Sequence, residues 1–123
     1  MIKQLELEVE TSRQNGEELD VRESDGLIYV IVKDYPLPVG YSKKHTRLLL
    51  KIPLSYPNGN PDMFWVDPDL RLASGESQAN ATIENVLGEP WLRFSWHPQK
   101  WNPVLDNLNT FMEFVNRRLI QLK

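Results

Sequence analysis

The chain has 123 residues, 41% hydrophobic and 25% charged, with a formal net charge of -3 and no cysteine. That length suits one hydrophobic core, and neither fraction fits a disordered segment or a coiled coil. Scattered Lys and Arg argue against a nucleic-acid module, and the missing thiols exclude disulfides, thiolate metal sites and a thiol nucleophile.

A single domain over 1–123 is therefore expected. The opening Met1-Ile2-Lys3-Gln4-Leu5-Glu6 lacks a signal-peptide core, and nothing later approaches the roughly 20 apolar residues that cross a bilayer, so a cytoplasmic chain with no membrane partner is expected. Ile2, Leu5 and Val9 recur at helical spacing, whereas Leu5, Leu7 and Val9 alternate as in a strand; a short helix is favoured, stopping at Asn15-Gly16. Extended segments follow over 19–23, 27–33 and 46–54, with Asp25-Gly26 as a hairpin turn between the first two. The cluster Tyr56-Pro57-Asn58-Gly59-Asn60-Pro61 turns the chain into a fourth strand over 63–66, completing an antiparallel meander.

Residues 67–103 read as a long irregular loop broken by Gly75, Gly88, Pro90 and Pro98, with room for one helical turn over 81–87. Trp91, Phe94, Trp96 and Trp101 would leave much aromatic surface in water, so this loop is expected to pack on the sheet. The last segment is a helix, since Leu108, Phe111, Met112, Val115, Leu119 and Leu122 recur every three or four residues. Asn102 is the expected N-cap and Pro103 the first helical residue. The fold class is thus α+β: an N-terminal helix, a four-stranded meander, a long loop and a C-terminal helix.

Ile52-Pro53-Leu54-Ser55-Tyr56-Pro57 with Pro61, and Trp101-Asn102-Pro103, resemble the Tyr-Pro-x-x-x-Pro turn and the Trp-Ser-Pro helix start of the ubiquitin-conjugating-enzyme (UBC) superfamily. Two longer strings, Pro61-Asp62-Met63-Phe64-Trp65-Val66-Asp67-Pro68-Asp69-Leu70 and Trp91-Leu92-Arg93-Phe94-Ser95-Trp96-His97-Pro98, resemble its prokaryotic family E. The resemblance extends over most of the chain. It implies a UBC-like fold and three partners in one pathway: a ubiquitin-like protein, an activating enzyme and a metalloprotease. It also implies that the first helix, over 2–13, meets the activating enzyme, with Glu6, Glu8 and Glu10 facing solvent.

The departures are chemical. The cysteine that carries the cargo as a thioester in eukaryotic relatives is missing, and so is the upstream His-Pro-Asn motif. Counting back from Trp101, the resemblance places Ser95 nearest the missing cysteine, with His97 two residues on. In an extended segment those two side chains share a face, and an imidazole beside a hydroxyl is what an oxygen nucleophile needs. Ser95 is therefore a candidate to accept the C-terminal glycyl group of the cargo as an oxyester, with His97 as its base. Asp67 and Asp69 are candidates to orient His97 or an incoming amine, although Asp67-Pro68-Asp69 also reads as a plain turn. Asn80, Asn85 and Asn102 are candidate oxyanion donors.

Three readings stay open: an acyl carrier on Ser95, an inert domain that binds the ubiquitin-like protein or scaffolds partners, and a Ser95 that replaces a native cysteine. A small-molecule enzyme finds no phosphate loop or catalytic carboxylate pair. No metal or cofactor is expected, because His45 and His97 have no ligand spacing and His45 after Lys43-Lys44 reads as a solvated loop residue.

Overall fold

The computed structural model describes residues 2–123. In chain order its elements are α1 (Lys3–Gln14), β1 (Leu19–Ser24), β2 (Leu27–Pro36), β3 (His45–Pro53), β4 (Phe64–Val66), β5 (Ala81–Val86), β6 (Glu89–Phe94) and α2 (Leu108–Leu119). The strands form one six-stranded sheet in the order β1-β2-β3-β4-β6-β5, with every neighbouring pair antiparallel. Strands β1 to β4 lie side by side in chain order, and a hairpin pairs beyond β4 through β6, so the sheet exceeds the four strands expected.

That hairpin corrects the reading of 67–103 as irregular and of 81–87 as helical. Leu87 and Gly88 both take positive φ, 53° and 81°, the geometry of a tight primed turn. Asp25 and Gly26 do the same in the first hairpin, at 52° and 76°.

Pleat alternation sorts the sheet's side chains onto two buried faces. Ile28, Val30, Val32, Leu48, Leu50, Ile52, Phe64, Val66, Leu92 and Phe94 share a core with Leu5 and Val9 of α1 and with Leu108, Phe111, Val115 and Leu119 of α2. Tyr29, Ile31, Leu49, Trp65, Val86 and Trp91 form a second cluster on the other face. Among the described residues, no helix contributes to that cluster. Instead Lys51 Nζ lies 4.5 Å from the Trp65 ring centroid and the Arg47 guanidinium 4.2 Å from that of Trp91, their alkyl stems lying along the apolar surface. Burial on both faces explains why β2 reads as a continuous apolar run.

Helix α2 begins five residues later than expected. Asn102 instead closes a single turn, accepting Val104 N at its side chain (2.9 Å) and Asp106 N at its carbonyl (2.7 Å). The N-cap is Asn107, whose side chain accepts Thr110 N while Thr110 Oγ1 accepts Asn107 N, a reciprocal capping box. Another free donor of the first turn, Leu108 N, reaches Glu8 Oε1 on α1 at 2.8 Å. The same oxygen accepts the Tyr56 hydroxyl at 2.6 Å. Glu8 therefore ties α1, the Tyr56-Pro57 turn and α2 together, in contrast to the solvent-facing role expected of it. Among the described residues, no helix is long and apolar enough to cross a membrane.

Candidate functional site

Ser95 follows the last residue of β6, where the ladder turns. Trp96 N donates to Phe94 O at 3.0 Å, closing a three-residue turn centred on Ser95. Ser95 N donates to Asn80 O at 2.9 Å and Met63 N to Trp96 O at 3.2 Å, so the turn is pinned to the start of β5 and the approach to β4. Phe94 is buried, stacked on Phe64 with ring centroids 4.7 Å apart, and Trp96 packs against the same helix-side core. Ser95 itself is half-buried, and no described group hydrogen-bonds its hydroxyl.

His97 is exposed on the loop beyond, with Nδ1 2.7 Å from Asp62 Oδ1. A carboxylate only accepts, so this contact puts the proton on Nδ1 and leaves the lone pair of the neutral ring on Nε2. Asp62 precedes Met63, whose φ of 59° lies in the left-handed region as the chain swings into β4. Ser95 and His97 make no hydrogen bond to each other, because the turn at Ser95 interrupts the extended geometry expected to align them.

Asp67 and Asp69 are placed elsewhere. They follow the end of β4 opposite to Asp62. Asp67 Oδ1 accepts Arg47 Nε at 2.6 Å and its Oδ2 accepts Arg47 N at 3.1 Å. Asp69 Oδ1 accepts Lys43 Nζ at 2.6 Å, and this hydrogen bond holds its carboxyl below the usual carboxylate value. Both thus pair with cations at one end of the central strands, and the carboxylate that meets His97 is Asp62. Of the three asparagines, Asn80 lies against Ser95 through its carbonyl. Asn85 pairs with Pro90 near the closed end of the hairpin, away from Ser95, and Asn102 accepts Val104 N at its Oδ1.

Beyond His97 the loop docks through Trp101, whose Nε1 donates to Pro57 O at 2.7 Å with its ring 6.1 Å from that of Tyr56. Between this loop and α2 runs a groove of about 550 Å³, walled by Trp96, Trp101, Phe111 and Phe114 with Lys100 and Arg117 at its edge. Among the described residues, no three His, Cys, Asp or Glu side chains gather where they could hold a metal ion.

The family model of prokaryotic E2 family E matches residues 6–121. The chain belongs to prokaryotic E2 family E. Membership associates it with ubiquitin-like conjugation and, in general terms, with a ubiquitin-like protein and an activating enzyme. No curated protein and no solved structure matches it.

In this family-E protein, sequence reasoning missed two residues beside the Ser95 turn. Asp62 is 35 positions from His97, and nothing local marks it as a partner. Arg118 did leave a signal: it falls three residues after Val115, at a core-facing position of α2, where a charge is unexpected.

Proposed function

We propose that this family-E protein is an acyl carrier in a bacterial conjugation pathway, taking a ubiquitin-like protein from an activating enzyme onto Ser95. The observation that carries the reading is the carboxylate-paired imidazole, His97 with Asp62 at 2.7 Å, two residues from a hydroxyl that has no described partner. In loading, Ser95 Oγ attacks the carbonyl carbon of the thioester on the activating enzyme. The C–O bond forms as the C–S bond breaks, and the hydroxyl proton passes through His97 Nε2 to the departing sulfur. Asp62 stabilises the imidazolium formed on the way. Exchange of thioester for oxyester runs downhill. In discharge an amine attacks the ester carbonyl, the C–N bond forms, the C–O bond breaks, and Ser95 recovers a proton. Ser95 and His97 must close up on the substrate, as catalytic hydrogen bonds that are long in a free enzyme commonly do. The pathway's metalloprotease would act after conjugation, in a cytoplasmic setting where a cysteine-free chain meets no difficulty.

A second reading is an inert domain that holds the ubiquitin-like protein or its partners without a covalent bond, and the missing Ser95–His97 hydrogen bond favours it. Incubation with the activating enzyme, ATP and the cognate ubiquitin-like protein separates the two. The carrier reading expects a covalent adduct that survives thiols, is cleaved by mild hydroxide, disappears in Ser95→Ala and forms at least tenfold more slowly in His97→Gln. No adduct with the wild type, or an equal one with Ser95→Ala, leaves the binding domain.

A further inference from the structure

We infer that Arg118 is a positioning residue for the Ser95 turn: from α2 its guanidinium clamps the two segments, 79–80 and 94–96, whose mutual hydrogen bond sets the Ser95 backbone. The functional consequence rests on the reading of Ser95 as the acyl acceptor; the clamp itself does not.

Arg118 is only 1% exposed. Its Nη2 donates to Ala79 O at 2.7 Å and to Lys123 O at 2.8 Å. Its Cζ lies 5.0 Å from the Phe94 ring centroid and 5.4 Å from that of Trp96, so the same planar group touches both residues flanking Ser95. One residue after Ala79, Asn80 reverses the chain at φ 56° and presents the carbonyl that accepts Ser95 N at 2.9 Å. Asparagine takes the left-handed region readily, so the reversal itself is local, and what the surroundings fix is where the Asn80 carbonyl points. Arg118 holds the residue before it by hydrogen bond and the strand opposite it by stacking.

As a core filler Arg118 makes little sense. No described Asp or Glu side chain pairs with it, Nη1 is buried without an acceptor, and burial pulls its pKa below the ordinary arginine value. The nearby Tyr41 hydroxyl donates to Leu119 O at 2.6 Å, and no hydrogen bond joins it to Arg118. Burying a guanidinium with one nitrogen left without an acceptor is unfavourable, and methionine would fill similar volume without that penalty. What the guanidinium adds over methionine is directed donors and a flat face that stacks on aromatic rings. Around Ser95 the flat face meets Phe94 and Trp96 and one donor contact holds Ala79 O, while a second holds Lys123 O.

The test is amide hydrogen exchange, followed residue by residue, in the full chain carrying Arg118→Met or Arg118→Lys. In Arg118→Met the Ser95 amide should exchange roughly 10- to 100-fold faster, while amides of the central strands β2 and β3 change far less. Arg118→Lys keeps the charge without the planar fork and should lie between the methionine variant and wild type. If methionine does not fold, the lysine variant decides alone, because one ammonium cannot replace both contacts. Unchanged Ser95 protection, or an equal loss across β2, β3 and Ser95, overturns the clamp. The loading reaction adds the functional arm: Arg118→Met should load more slowly with unchanged affinity for the ubiquitin-like protein. Absence of any wild-type adduct sinks the acyl-carrier reading, whereas the exchange result still decides the clamp.

Discussion

Two hairpins close the sheet at opposite edges, β1–β2 on one side and β5–β6 on the other, and they reach the same turn geometry from different chemistry. Asp25-Gly26 uses two residues that accept positive φ readily, so the first hairpin is specified within its own turn. Leu87-Gly88 puts a leucine in the left-handed region, where an L side chain with a Cβ is disfavoured by about 1–2 kcal/mol. Leucine is held there because it packs against the second cluster, to which Val86 belongs, on the far face of the sheet. The first hairpin is organised by its turn, the second by its packing. Such a difference is a reason for the second to carry the candidate site: the strand end at Ser95 is positioned by tertiary contacts, Phe94 stacking on Phe64 of β4 and Arg118 of α2 lying over Phe94 and Trp96.

Removing the packing should have the largest effect. Trp91→Ala deletes a fully buried ring from the second hairpin and should reduce stability by about 3–5 kcal/mol, whereas half-buried Val21→Ala in β1 should cost about 1 kcal/mol. Denaturant titration checks both. A single transition with an unchanged slope shows the hairpin unfolding with the rest of the sheet; a separate early transition would show that the two regions are energetically independent.

The hairpins should also fail at opposite ends of the pH scale. Burial, with a smaller push from Glu17, raises the Tyr35 phenol in β2 to about 12. The folded chain therefore favours the neutral phenol, and that stability is complete below the unfolded value near 10 and lost as pH rises towards 12. Tyr35→Phe should remove this alkaline decline, worth up to about 2 kcal/mol. Glu84 in β5 behaves oppositely. Burial is the largest single influence and pushes its carboxyl up, but hydrogen bonds from Trp65 and Arg93 and the charges of Lys51 and Arg93 together outweigh it and hold the value below normal. Its stabilising part is present above the unfolded pKa of about 4.5 and is lost as pH falls through the folded value. Glu84→Gln should flatten that acid limb, by less than about 1 kcal/mol because the pair is partly solvated. Thermal melts across pH check both signs.

The smallest expected effects come from exchanging turn chemistry. Asp25→Leu gains no packing to offset its positive φ and should destabilise by about 1 kcal/mol. Leu87→Asn relieves the strain but loses apolar contact, and should fall within about 0.5 kcal/mol of wild type. Equal effects at the two turns would remove the contrast between them.

The same division runs through what was readable beforehand. The first and terminal helices repeat their apolar residues at a regular period, β2 and β3 stand out as apolar runs, and the Asp25-Gly26 turn carries its own signal. The β5 segment, Ala81–Val86, is mostly exposed at a sheet edge, and its Ile83 faces solvent, so no alternation betrays it. Asn102 and Asn107 satisfy the local rule for a helix cap equally well. Glu8 helps decide between them by reaching Leu108 N from 100 positions away. Within the candidate site, Ser95 and His97 were legible through resemblance to a family, whereas Asp62 and Arg118 were not, because their partners are neighbours only after folding.

By itself the sequence determined the α+β class, most of the elements, the absence of thiol chemistry and membership of prokaryotic E2 family E, because periodicity, turn residues and motif strings are properties of short stretches of chain. Only the tertiary structure decided that the sheet has six strands, that α2 starts at Leu108, that Asp62 meets His97 while Asp67 and Asp69 meet Arg47 and Lys43, and that a buried guanidinium lies beside the Ser95 turn. Each of those outcomes depends on which side chains, distant along the chain, fill one another's hydrogen bonds and volume.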